Sequence, residues 1–267
     1  MLVPRRPYVL FAAPFVLLAL LLTGCSTEAT EATEAADSTA AALAGPPGGA
    51  AGPESAAMAG RAAPAQPARP EEIPYLGPGT RGLIPSTARQ ALVVTGEAAD
   101  SNRSTAVLYT RDGPTKSWRP ATGRWPAHNG MQGWTDLHMA GDLKSPNGVY
   151  SLTDAGGRLP DPGTLLPYDE QPHFAVSGDG FFGEPLEGSF DYVVAINYNR
   201  TAGVTPLDRT RPLGMDRGGG IWIHVDHGGP TQGCVSLPEE RMEELLRTLD
   251  PAKNPVIVMG DAAALER

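Results

Sequence analysis

Cysteine is nearly absent from this chain: 267 residues hold two, Cys25 and Cys234. A small disulfide scaffold, which needs several pairs, is excluded. No cluster of lysine and arginine occurs and the formal net charge is −9, so the basic stripe of a nucleic-acid binder is missing. Helical periodicity is rare, and 32 glycines and 27 prolines cut the chain into short elements. The long hydrophobic run, Val9 to Leu22, has the length of a signal h-region and is short for a membrane span.

The N-terminus reads as a secretory leader, with Arg5 and Arg6 as its basic part. The leader ends in Leu22-Thr-Gly-Cys25, which resembles the lipobox of bacterial lipoproteins. That resemblance implies a lipidated Cys25 at the start of the mature chain and an acyl anchor that holds a membrane without spanning it. From Ser26 the sequence is dominated by alanine, proline, glycine, threonine and glutamate, with bulky apolar residues nearly absent until Ile73. Such a segment cannot bury enough surface to offset its ordering entropy and reads as a disordered tether. The expected division is a lipoprotein signal over 1–25, a tether over 26–85 and one folded domain over 86–267.

Within that domain the β-branched and aromatic runs Ala91–Thr95, Thr105–Thr110, Gly148–Thr153, Asp191–Asn197 and Ile221–Val225 predict strands. Ser236-Leu-Pro-Glu239 fits a capping box, and Met242, Leu245, Leu246 and Leu249 follow at helical spacing. Pro251 and Pro255 end that helix, and Pro255–Met259 returns as a strand. The fold class is mainly β, a sandwich or open barrel with a C-terminal α-helix.

The richest stretch is Ile221-Trp-Ile-His-Val-Asp-His-Gly-Gly-Pro-Thr-Gln-Gly-Cys-Val-Ser-Leu-Pro238. Cys234 has no disulfide partner in a chain that reads as exported. A lone thiol with histidines nearby is a candidate nucleophile. Period-2 alternation puts Trp222 and His224 on one face of a strand, making His224 the candidate general base. His227 precedes two glycines and reads as a loop residue or supporting partner. A strand before Cys234 and a helix after it place the thiol at a helix N-terminus, which favours the thiolate. The N–H groups of Gly233 and Cys234 are candidate oxyanion donors, and Gly233 lets a substrate approach the backbone. Thr231 reads as loop support, Ser236 as the helix cap, and Asp226 as a solvated turn carboxylate. His138 and His173 read as surface residues, with His173-Phe174 a candidate cleft wall. An alternative class is a zinc site built from His224, His227, Cys234 and Asp226, although His-x-x-His with a single cysteine is an uncommon spacing.

Thr231-Gln-Gly-Cys234 preceded by Ile223-His224 resembles the signature of the YkuD family of L,D-transpeptidases. So do Val94-Thr-Gly96, Trp125-Pro-Ala127, Gly141–Tyr150, Tyr192–Asn199 and the closing Leu249–Gly260, in order over roughly Leu92 to Gly260. The resemblance implies acyl transfer through a Cys234 thioester. The donor would be a peptidoglycan stem tetrapeptide that loses its terminal D-alanine, and the acceptor the side-chain amine of a neighbouring stem. It implies no cofactor and no metal. Peptidoglycan stem peptides and the membrane, through Cys25, are the implied partners, with no nucleic acid. An L,D-carboxypeptidase of the same fold and a non-catalytic wall-binding lipoprotein are the alternatives. Gln232 and Ser236 depart from residues that many members carry at those positions, and the ten residues from His224 to Cys234 make a short loop. The implied location is extracytoplasmic, lipid-anchored to the cell membrane and facing the cell wall.

Overall fold

Alternating and continuous apolar runs become strands, and the turn formers between them become the loops. The computed structural model describes residues 70–267; the leader, Cys25 and the tether as far as residue 69 lie outside the described residues. The strands are β1 (Gln90–Gly96), β2 (Arg103–Thr110), β3 (Arg119–Pro120), β4 (Trp125–His128), β5 (Trp134–Thr135), β6 (Ser145–Pro146), β7 (Gly148–Gly157), β8 (Tyr168–Glu170), β9 (Val193–Ile196), β10 (Trp222–Val225), β11 (Val235–Leu237) and β12 (Val256–Asp261). The α-helices are α1 (Pro78–Leu83), α2 (Glu239–Thr248) and α3 (Ala262–Leu265).

Pairing runs β1-β12-β7-β9-β10-β11-β4-β2, and β2 returns to β1. The mainly β architecture with a C-terminal helix is as expected, and the ring is a closed barrel. Closure comes from the antiparallel register of β1 on β2, from Gln90↔Thr110 to Gly96↔Ser104, which leaves no free edge in the ring. The β1–β12 and β10–β11 joints are parallel.

β1 and β12 read as continuous apolar runs because both of their faces are covered. Leu92, Val94, Ile257 and Met259 belong to the main core with Ile196, Ile223, Leu237 and the α2 stripe Met242, Leu245, Leu246 and Leu249. Ala91, Val93, Val256 and Val258 face the other way, into a second cluster with Ile73, Leu76, Trp118 and Leu265. Residues 70–85, assigned to the tether on composition, therefore pack on the barrel. Ile73 and Leu76 are 2% and 5% exposed, and the Gly77 N–H donates to the Leu265 carbonyl at 2.8 Å. Proline and glycine masked this segment, in which Ile73 and Leu76 are buried and Ile84 packs partly buried against the same cluster.

A second correction concerns Ser236. It lies in β11, not at a helix cap, and its hydroxyl donates to Asp226 Oδ1 at 2.6 Å. Helix α2 starts after Pro238 with no side-chain cap. The Ser-x-x-Glu pattern coincided with a strand end followed directly by a proline-initiated helix.

The site depends on how β10 reaches β11. Parallel neighbours usually need a crossover of a dozen or more residues, often a helix. Here the loop over residues 226–234 makes the return. Register Ile223↔Val235 and His224↔Ser236 places Cys234 beside Trp222 at the strand ends. The loop after β9 is tied down by a buried ion pair, Arg200 Nη1 to Asp154 Oδ2 at 2.9 Å.

Candidate active site

A cleft of about 590 Å³ opens at this end of the barrel. Cys234, His224, His227, His138, Gly233 and the Gly218–Gly220 run all line it. The elements that place the lining residues come from four parts of the chain: β10 with the β10–β11 crossover, the loop between β5 and β6, the loop between β8 and β9, and the loop between β9 and β10.

Cys234 is half-buried at the foot of the crossover. The Trp222 N–H donates to its Sγ at 3.4 Å, and the thiol donates to the Gly220 carbonyl at 3.7 Å. Burial pushes the thiol up to about 11, a rise the Trp222 N–H only partly offsets. The expected activation by a helix N-terminus is absent, because β11 intervenes and α2 begins at Glu239. The resting group is a neutral thiol.

His224 is 3% exposed. Its Nδ1 donates to the Val225 carbonyl at 2.8 Å; a carbonyl only accepts, so the proton sits on Nδ1 and Nε2 is the free acceptor. Burial pushes its pKa down to about 4, against the opposing pull of that hydrogen bond. Phe190 presents its ring edge at 5.3 Å, and His227 stacks flat at 5.9 Å with 10° between planes. His224 is thus a neutral imidazole held in one tautomer and one orientation.

Thr231 and Gly233 shape the loop. The Gly233 N–H donates to Thr231 Oγ1 at 3.1 Å, and that hydroxyl donates to the Cys234 carbonyl at 2.7 Å. Of the two expected oxyanion donors, the Gly233 N–H is therefore engaged within the loop. Gly233 has φ 147°, in the region that favours glycine, and an added Cβ would lie 3.0 Å from the Lys144 carbonyl. Ser145 supports the same loop, donating to the Gly233 carbonyl at 2.8 Å. It lies in the Gly141–Tyr150 segment, whose signal in sequence was the segment's resemblance and not any role for this serine. Gln232 is exposed on the cleft rim.

Three assignments from sequence are corrected. His138 is buried, with Nδ1 3.0 Å from Asp142 Oδ1 and its ring edge-on to Tyr198 at 5.3 Å. Burial lowers its pKa despite Asp142. The acid four residues on was the available clue. Asp226 is not a solvated carboxylate: it accepts from His128 Nδ1 at 2.8 Å and from Ser236. Burial would raise its pKa, but these hydrogen bonds hold it below the usual carboxylate value. Turned toward His128 and Ser236, it does not join His224, His227 and Cys234 in the alternative zinc set. Among the described residues no three His, Cys, Asp or Glu side chains gather as metal ligands. His173 is exposed as expected, but Phe174 is buried against Trp222 at 5.8 Å and does not form the cleft wall.

Sequence reasoning missed Glu184. Its Oε1 lies 3.3 Å from His227 Nδ1, with side chains 12% and 5% exposed. The Phe182 N–H fixes the carboxylate, donating to Oε2 at 2.7 Å. No local pattern links positions 184 and 227.

A closed barrel that gathers one cysteine and three histidines on a single cleft defines a class: a barrel domain with a thiol–imidazole site at one end. The family model described as the L,D-transpeptidase catalytic domain, YkuD, matches residues 97–258, and the chain belongs to that family. No curated protein and no solved structure matches the chain. The domain is an L,D-transpeptidase-family catalytic domain, of a family that acts on peptidoglycan peptides.

Proposed function

We propose that this protein is a peptidoglycan L,D-transpeptidase whose nucleophile is Cys234 and whose general base is His224. The observation that carries the reading is the arrangement in the cleft. The one thiol among the described residues lines the same cleft as an imidazole with a free Nε2, in a chain of this family.

Both groups rest neutral, so no thiolate–imidazolium pair stands ready. His224 Nε2 takes the thiol proton as Sγ attacks the carbonyl of the donor tetrapeptide. The same proton then passes to the leaving nitrogen of D-alanine. Burial penalises the imidazolium, so the proton's stay on His224 is short. With the Gly233 N–H engaged by Thr231, the Cys234 N–H is the oxyanion donor the loop offers. The thioester is then resolved by a neighbouring stem's amine. An acyl-enzyme resolved only by water would make the protein a carboxypeptidase, and a cleft that binds tetrapeptide without acylation would make it a wall-binding module.

The test is mass spectrometry of the protein after incubation with a stem tetrapeptide, alone and with an amine acceptor. The expected result is an adduct on Cys234 and a cross-linked product, with no adduct on Cys234→Ser. An adduct of undiminished yield on that variant rejects the assignment.

The location belongs to the same proposal: extracytoplasmic, held at the membrane by a lipid on Cys25, with a tether reaching toward the wall. The sequence Leu22-Thr-Gly-Cys25 after an apolar run supports it. Cys25→Ala should move the protein from the membrane fraction to the soluble one and abolish labelling by a radioactive fatty acid. Persistent labelling of that variant would reject Cys25 as the anchor.

A further inference from the structure

Two imidazoles lie parallel in the cleft, yet their surroundings differ. His224 is tied to a carbonyl, which cannot carry countercharge, and its burial opposes protonation. His227 has its Nδ1 turned to the Glu184 carboxylate at 3.3 Å, which leaves Nε2 as its other nitrogen. That pair is close but not aligned as a hydrogen bond, since both atoms are buried and unsatisfied. Catalytic hydrogen bonds are often loose before substrate binds and tighten in the complex. The carboxylate is held against the backbone of the crossover: a Cβ on Gly229 would meet Glu184 Oε1 at 1.8 Å, and one on Gly180 would meet it at 2.1 Å. Asp179 lines the same cleft.

The proposed reaction has a step that His224 is poorly placed to serve. The acceptor arrives with an ammonium group and must shed a proton before it can attack. Acylation has no equivalent step, because there the thiol proton passes straight to the leaving nitrogen. An imidazole that takes a proton from an ammonium must hold the positive charge, which a neighbouring carboxylate stabilises.

We propose that His227, backed by Glu184, is the proton acceptor for the incoming ammonium group, while His224 serves the thiol. The inference rests on the reading of Cys234 as the acylated residue. The ammonium gives one proton to His227, which later releases it to solvent. The free amine forms a bond to the thioester carbon and the C–S bond breaks with its electron pair on sulfur. The second amine proton passes through His224 to that sulfur and restores the thiol. The charged and titratable groups around His227 are Glu184 from the loop before β9, His224 from β10, its neighbour Asp226, and Asp179 on the cleft wall.

The experiment separates the two half-reactions in the full-length protein. A donor tetrapeptide with its side-chain amine acetylated can acylate Cys234 but cannot accept. A second tetrapeptide with a free amine is then added, and adduct formation and loss are followed by mass spectrometry across pH. In His227→Ala and Glu184→Gln the ratio of aminolysis rate to acylation rate should fall about 10²-fold at neutral pH. The deficit should close as the pH approaches the amine's own ionisation, about 10. An equal loss in both steps, a deficit that does not change with pH, or no deficit overturns the division of labour. Wild-type protein that never acylates overturns the Cys234 reading and this proposal with it.

Discussion

At the residue scale the site is governed by burial. His224 stays neutral inside the fold, with its pKa at about 4, whereas an exposed histidine ionises near ~6.5. Between these values the unfolded chain binds a proton that the folded chain does not. Stability from this residue is therefore complete above about pH 6.5 and is lost as the pH falls toward about 4. The full loss is on the order of a few kcal/mol. Urea midpoints at about pH 7 and about pH 4.5, compared between wild type and His224→Phe, measure it. The wild-type decline should be the steeper of the two. His138 acts in the same direction and remains in both proteins, so it does not obscure the difference. Equal declines would place the ionisation of His224 near that of an exposed histidine. The same shift means that the base form of His224 is complete throughout the neutral range, while burial of Cys234, which pushes its own pKa up to about 11, brings it into the reaction as a thiol.

At the element scale, the outer faces of β1 and β12 need a cover. Ile73 and Leu76 supply it with Leu265, and the Thr80 N–H donates to the Arg267 carbonyl at 3.1 Å, joining the segment to the C-terminus. A chain beginning at Ser86 exposes Ala91, Val93, Val256 and Val258 on that side. Losing two buried aliphatic side chains at roughly 1.5–3 kcal/mol each should lower stability by about 3–6 kcal/mol relative to a chain beginning at residue 70. Paired urea denaturations read this directly. Equal stability of the two chains would show that residues 70–85 cover the barrel without holding it.

On the scale of the whole molecule, the closed ring makes the site. The parallel β10–β11 joint needs a return loop, and the shortness of that loop sets Cys234 level with Trp222. The loop is then propped from elsewhere: Ser145 from β6, His128 from β4 through Asp226, and Glu184 from the loop before β9. The barrel brings these distant segments to one end, so the chemistry belongs to the closed structure and not to the Thr231–Cys234 string alone.

Much of this was legible in the chain. With Cys25 read as the lipidated residue, the two cysteines of the sequence leave Cys234 as the unpaired thiol. The runs at Ala91–Thr95 and Pro255–Met259 are strands because β-branched residues favour a pleated, buried backbone, and the stripe Met242, Leu245, Leu246 and Leu249 is helical because its spacing makes one face. The strand over Ile221–Val225 already presented His224. Other features were beyond local reading. The two-residue strands β5 and β6 have no pattern to show, and the Ser236-x-x-Glu239 pattern named the wrong element. His138 as a buried cleft residue, Glu184 as the partner of His227, and the ionisation of Cys234 and His224 were decided by the tertiary structure alone. The reason is physical: periodicity and propensity act over a few residues, whereas burial and hydrogen-bond partners are set by what the closed barrel packs around each group.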